Sequence, residues 1–335
     1  MIERRVTLRD VAQRTGVSVT TISKVLNGGG DVSPQTRALV EEHLDRSGYR
    51  RRLPQVGTGY IQIVVPGLTG DWVFGIVSGV HDAAARAGHG VAVVVNDDRD
   101  GGDPGWVDEA LRRSAVAVVV LVDAVPEAAR ARLRARGIPF LLIDPSGDPT
   151  PDVPAVSSAN WSGGLEAARH LLGLGHRRIA ALTGPATSLP AIARVDGFRA
   201  AMTSAGVAVR EDWVRFGGFT AESGEREARA LLADPDDRPT AIFAGSDMQA
   251  VGVLDAAAAA GVAVPRDLSV VGFDDLTLSR YVRPRLTTIR QPLREMAAQA
   301  TKTVLELVDH PNLERPRIEL STRLVVREST AQPSR

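Results

Sequence analysis

Between residues 61 and 275 short apolar runs alternate with amphipathic segments of helical period, and the pattern starts again near residue 160. No other feature constrains the fold as much. Segments 61–65 (IQIVV), 91–95 (VAVVV), 115–123 and 139–144 read as strands. A helix to about residue 87, with Asp71 placed to cap it, and helices over 106–113 and 126–136 separate them. Unbroken apolar runs are buried on both faces, which predicts a parallel sheet with crossover helices on either side. The second round has a helix over 160–174, the strand RRIAALTG and a helix over 190–205. A short strand (213–216), a helix (222–233), AIFAG, a helix (247–260) and LSVVGFDD follow. Two similar lobes are implied, with a late helix (292–308) and strands near Ile318 and Leu324 crossing back between them. At 335 residues the chain is too long for one ordinary core and suits a small headpiece plus two lobes.

The headpiece is residues 7–27, TLRDVAQRTGVSVTTISKVLN, which spell two short helices and a tight turn. Thr7 and Asp10 are spaced as a capping box, Leu8, Val11 and Ala12 share a face, and Gly16 suits a helix stop at positive φ. Ser18 caps the second helix, whose buried face is Ile22, Val25 and Leu26. Val19, Thr20, Ser23 and Lys24 face outward, and Asn27 with Gly28–Gly30 ends the helix. A third helix runs from about 34 to 46, with Ser33 as cap, Pro34 in the first turn and Leu39, Val40 and Leu44 as its apolar stripe. This spacing lays the second helix in a major groove of double-stranded DNA. Val19 suits a thymine methyl, Thr20 several bases, and Lys24 guanine O6 and N7. Lys24 is one of only two lysines, the other being Lys302. Thr7, Ser18, Asn27 and Arg37 are placed for phosphates, which position without reading sequence.

Charge agrees. Residues 1–53 hold ten Arg or Lys against six acids, net +4, and the whole chain is neutral, so the remainder carries −4. A basic end on an acidic body is the asymmetry of a nucleic-acid binder. There is no Cys, so disulfides and Cys-ligated metals are excluded. The start, MIERRVTLRD, has no signal-peptide core and no stretch is long enough to span a membrane, which predicts a cytoplasmic protein. None of the six histidines forms a metal-spaced pair or joins a nucleophile motif, and Gly28–Gly30 lacks the Lys-Ser/Thr of a phosphate loop. No enzyme, metal or cofactor is expected.

Ligands of open α/β sheets bind beyond the carboxyl ends of the strands. Those ends are Gly67 and Leu68, Asn96 and Asp97, Asp123, Asp144, Thr183, Phe219, Ser246 and Asp247, and Asp274. Carboxylates and amides at such a mouth suit a polyhydroxylated ligand, with Trp72 placed for stacking. Asn160 and Trp161 read as cap and packing, and Asp247 equally as a helix cap.

The headpiece residues, with VSPQTRALVEEHLDRSGYR, resemble the DNA-binding domain of the LacI/GalR family of bacterial regulators. The likeness continues through HLLGLGHRRIAALTGP, RVDGFRAAM, SDMQAVGVLDAAAAAGVAVPRDLSVVGFDD, LTTIRQPLREM and TRLVVREST. It implies an N-terminal all-α helix-turn-helix headpiece plus an α/β periplasmic-binding-protein-like domain of two doubly wound lobes. The boundaries expected are 1–53 for the DNA-binding domain, 54–60 for a shortened linker and 61–330 for effector binding and dimerisation. Lobe 1 takes about 61–158 plus 292–319, lobe 2 about 160–288 plus 321–330. By the resemblance Val19, Thr20 and Lys24 read the operator. Arg194, Asp274, Phe219 and Ser246 match effector-contacting positions, with Asp247 beside Ser246.

The expected mechanism is a homodimer on a two-fold operator, in which a small-molecule effector shifts the lobe arrangement and with it the headpieces. A sugar that releases the protein is favoured over a purine-type corepressor. A transport receptor and an enzyme with a regulatory headpiece are the weaker rivals. Two departures stand out. The linker RRRLPQVGTGY is about seven residues shorter than in many members. Its Pro54, Gly57 and Gly59 oppose a hinge helix, leaving Arg50, Arg51 and Arg52 for minor groove or phosphates and Leu53 as a weak wedge. The tail lacks a leucine heptad, which favours a dimer over a tetramer.

Overall fold

The computed structural model describes residues 7–26, 32–47, 59–96, 105–121, 125–147 and 152–334. The chain divides into two compact units. The first comprises Met1–Ile143, Pro149–Val156 and Arg294–Arg317; the second comprises Asp144–Asp148, Ser157–Leu293 and Ile318–Arg335.

The first unit opens with three helices, α1 (Leu8–Thr15), α2 (Val19–Leu26) and α3 (Pro34–Ser47). They close on a small core of Val11, Ile22, Val25, Leu26, Val40 and Leu44. Local chemistry sets each end. Thr7 and Asp10 form the reciprocal capping box, and Gly16 at φ 68° returns its N–H to Ala12 O. Ser18 Oγ accepts from Thr21 N at 3.1 Å and Ser33 Oγ from Thr36 N at 3.2 Å. One expectation fails: Leu39 is 39 % exposed. Successive helical positions lie about 100° apart, and the i,i+4 pair Val40 and Leu44 takes the core side instead.

The sheet that follows is built from β1 (Tyr60–Val65), β2 (Gly90–Val95), β3 (Ala117–Val120), β4 (Phe140–Ile143), β5 (Ala155–Ser158) and β11 (Arg317–Leu320). Helices α4 (Asp71–Arg86), α5 (Gly105–Arg112), α6 (Glu127–Ala135) and α11 (Leu293–Asp309) accompany it. The strand order is β11-β5-β4-β3-β1-β2, and β1 pairs with β2 and β3 in parallel. Asp71 does not cap α4. Gly70 holds that position at φ 89°, and Asp71 is the first helical residue. Of the described part of the segment 115–123, Ala117–Val120 forms the strand, and Val122 and Asp123 lie outside the described residues.

The second sheet repeats the plan with β6 (Ile179–Thr183), β7 (Val214–Phe216), β8 (Ala241–Ala244), β9 (Ser269–Asp274), β10 (Thr287–Arg290) and β12 (Arg323–Val325). Its order is β12-β10-β9-β8-β6-β7. In each sheet the first five strands run 2-1-3-4-5, the doubly wound order whose switch point lies between the first and third strands. In the second sheet that point is between β6 and β8. Helices α7 (Asn160–Gly173), α8 (Leu189–Ser204), α9 (Ala221–Leu232) and α10 (Asp247–Ala259) complete the unit. They pack as two glycine-lined pairs. A Cβ on Gly164 would meet Arg194 O at 2.0 Å, and one on Gly197 would meet Trp161 O at 1.9 Å. Between α9 and α10, a Cβ on Gly224 would meet Gln249 O at 2.1 Å and one on Gly252 would meet Ala221 O at 2.0 Å. Only glycine permits backbones this close.

Candidate functional site: a DNA-reading helix and a buried polar cluster

The second helix presents its two faces as the spacing requires. Ile22, Val25 and Leu26 are buried, while Val19 is 40 % exposed and Thr20 and Lys24 are also exposed. Ser23 is half-buried. Thr7 and Ser18 are exposed, and their hydroxyls serve the caps of α1 and α2. Arg37 lies half-buried in the first turn of α3. Asn27, Arg50, Arg51, Arg52, Leu53 and the rest of the linker before Gly59 lie outside the described residues.

In the second unit the carboxyl ends of the strands bring a polar cluster together around Arg194. Its Nε donates to Asn160 Oδ1 at 2.8 Å and its Nη1 donates to Gly245 O, at the switch point just past β8. Nη2 stands 3.9 Å from Asp144 Oδ2, close enough for charge attraction and too long for a hydrogen bond. The guanidinium lies 3.8 Å above the Phe273 ring and 5.2 Å from the Phe219 ring. The Phe219 ring covers Gly184, where a Cβ would approach it to 2.2 Å. Asn160 also donates from Nδ2 to Asp144 Oδ1 at 3.0 Å. Asp144 at φ 47° and Asp274 at φ 118° are both held in backbone conformations that L residues rarely adopt. Asp274 Oδ1 accepts from Gln291 Nε2 at 2.6 Å.

Ser246 caps α10, its Oγ accepting from Gln249 N at 3.1 Å. The cap is therefore Ser246 and not Asp247. The carboxylate of Asp247 is turned into the fold: Oδ2 accepts from Leu276 N at 2.7 Å and Oδ1 from Thr288 Oγ1 at 2.5 Å, beneath Gly272. This ties the start of α10 to β10 and to the loop after β9.

One guanidinium thus faces three buried carboxylates. Burial raises the Asp274 carboxyl to about 7, against the pull of Arg194 and Gln291. Burial likewise raises Asp144, opposed by Arg194 and Asn160, and lifts Asp247 well above the usual range with the Asp274 charge adding to it. The same burial lowers Arg194. Desolvation outweighs pairing on both sides, and Arg194 stays cationic because guanidinium does not deprotonate in proteins. Among the buried side-chain atoms of the described residues without a hydrogen-bond partner are Ser158 Oγ, Gln249 Oε1 and Gln291 Oε1. They sit beside Asn160, Ser246 and Asp274. The two amide oxygens can only accept, whereas the Ser158 hydroxyl can also donate.

Of the eight candidate effector residues, Asp144, Arg194, Phe219, Ser246, Asp247 and Asp274 belong to the second unit. Trp72, in the first turn of α4, and Asn96, past β2 with its N–H on Val65 O, belong to the first; both are half-buried. Asn160 and Gln291 were missed. Asn160 reads as a cap and is instead the bridge between Asp144 and Arg194. Gln291 directly follows β10, whose short, threonine-rich sequence gives no apolar run. His176 is built into the fold, bonding Thr240 Oγ1, Ser269 Oγ and Ala331 O. No helix among the described residues is long and apolar enough to cross a membrane, and no group of three metal-ligating side chains occurs there.

A helix-turn-helix with Val19, Thr20 and Lys24 exposed on its second helix, joined to two doubly wound α/β lobes with a buried polar cluster, defines a DNA-binding regulator with a small-molecule-binding body. Comparison with known proteins agrees. The model of bacterial regulatory proteins of the lacI family matches residues 7–52, and that of the periplasmic binding protein-like domain matches residues 168–330. The HTH-type transcriptional regulator MalR of Streptomyces coelicolor is 33 % identical over 97 % of this chain and 96 % of its own. The transcriptional regulator CelR in complex with cellobiose superposes with a TM-score of 0.74 at 30 % identity, over 97 % of this chain and all of that one. The lac repressor dimer bound to operator and the anti-inducer ONPF gives a TM-score of 0.71 at 27 % identity, covering 98 % of this chain and all of that one. The chain belongs to the LacI family of bacterial transcriptional regulators. It is a DNA-binding regulator and not an enzyme.

Proposed function

We propose that this protein is a repressor that binds a near-palindromic operator as a homodimer and is released by a small sugar or sugar derivative held at the Arg194 cluster. The observation that carries the ligand class is the set of buried polar atoms without a partner. The amide oxygens of Gln249 and Gln291 take only donors, the Ser158 hydroxyl takes either, and a polyol offers a donor and an acceptor at every hydroxyl. Arg194 accounts for the ring or glycosidic oxygens, which accept. The similarity to CelR, whose structure contains cellobiose, supports the same class. For dimer and operator the support is the likeness to the lac repressor dimer on its operator.

The test is a thermal-shift screen against sugars, sugar phosphates and nucleosides, repeated with Asp274→Ala and Asp274→Asn. A ligand that binds only the folded state raises the melting temperature with its saturation. The expected result is a sugar that stabilises the wild-type protein, fails with both variants, and weakens operator binding. A nucleoside hit, or a sugar hit unaffected by either variant, overturns the ligand assignment.

A further inference from the structure

Arg136 stands outside both sites. It follows α6 as the helix C-cap residue and is only 6 % exposed. Its Nη2 donates to the backbone carbonyl of Val25, in the last turn of α2, the DNA-reading helix. The last four carbonyls of an α-helix have no partner within the helix, and they form the negative end of its dipole. A guanidinium there makes a charge-assisted hydrogen bond, stronger than a neutral one. The contact is not isolated, since α3 packs on α6 within the same unit. It also leaves the reading face open: Val19, Thr20 and Lys24 remain exposed.

We propose that Arg136 is a positioning residue for DNA binding. From the ligand-binding body it caps the carboxyl end of the reading helix and holds the headpiece in one orientation with its base-contacting residues free. It touches no DNA. Fewer headpiece orientations are then lost on docking, so sequence-specific affinity rises without a new contact.

The experiment uses the full chain as wild type, Arg136→Ala and Arg136→Lys. The specific probe is a duplex recovered from a random-sequence pool by selection with the wild-type protein; the control is a scrambled duplex of equal length. Arg136→Ala should bind the selected duplex about tenfold more weakly, the scale of one lost charged hydrogen bond. It should bind the scrambled duplex unchanged, because the phosphate contacts of an intact headpiece persist. Amides of α2 and α3 should exchange faster in the free protein, and Arg136→Lys, which keeps a cationic donor, should recover part of both effects. Equal loss on the two duplexes would reveal a headpiece that merely unfolds and would overturn the proposal. So would unchanged affinity with unchanged exchange, or tighter binding, which would make the contact a restraint against DNA.

Discussion

Asp274 is the residue with the clearest pH signature. Its carboxyl sits at about 7 in the folded chain, against about 3.9 when unfolded. Between those values the native state holds a proton that the unfolded chain has released. Its contribution to stability is therefore full below about pH 4 and is lost as pH rises through 7. Asp274→Asn removes this titration. Urea unfolding at pH 4.5 and pH 8 should show the variant gaining on the wild type as pH rises, by on the order of a few kcal/mol. A pH-independent difference would mean that the group is ionised throughout. The residue scale is also where the sequence was most uneven as a guide. Thr7, Gly16 and Ser18 were legible because a cap is settled within four positions. Asp144, Arg194 and Asp274 rested on strand ends and on resemblance. Asn160 and Gln291 were invisible, because their importance lies in partners far away in the chain, Arg194 and Asp274.

At the scale of elements, the long apolar strands and the amphipathic helices announced themselves, whereas β5 (AVSS) and β10 (TTIR) did not. They are buried by their place in the sheets rather than by their own composition. The glycine seams were equally silent. A glycine inside a helix is locally unfavourable, and its reason appears only when the neighbouring backbone is in place. Gly164 touches the backbone of Arg194 itself, so the α7–α8 seam sets the position of the guanidinium. Gly164→Ala should force the helices apart and cost about 1–3 kcal/mol or more in chemical denaturation. It should also weaken sugar binding under conditions where the variant remains folded. An alanine variant with wild-type affinity would show that α8 can shift without moving the cluster.

For the whole molecule, the basic headpiece on an acidic body and the proposed two-fold assembly make one joint prediction. Two headpieces on one dimer act as linked binders, so scrambling one half of the selected near-palindrome should lower affinity by about 10²-fold or more. A half-site bound as tightly as the full operator would count against the homodimer. The path of the chain has a further consequence, during synthesis. β5 ends at Ser158 and its sheet neighbour β11 begins only at Arg317; β10 ends at Arg290 and waits for β12 at Arg323. Neither sheet receives its last strand until synthesis has passed Arg317 and Arg323. Until then β5 and β10, interior strands of the finished sheets, stand at the edge, the kind of surface on which nascent chains pair with one another. A message cut short before codon 317 would therefore yield two incomplete sheets rather than one finished lobe and one missing, and the cell's quality-control machinery would meet it as a single defective product.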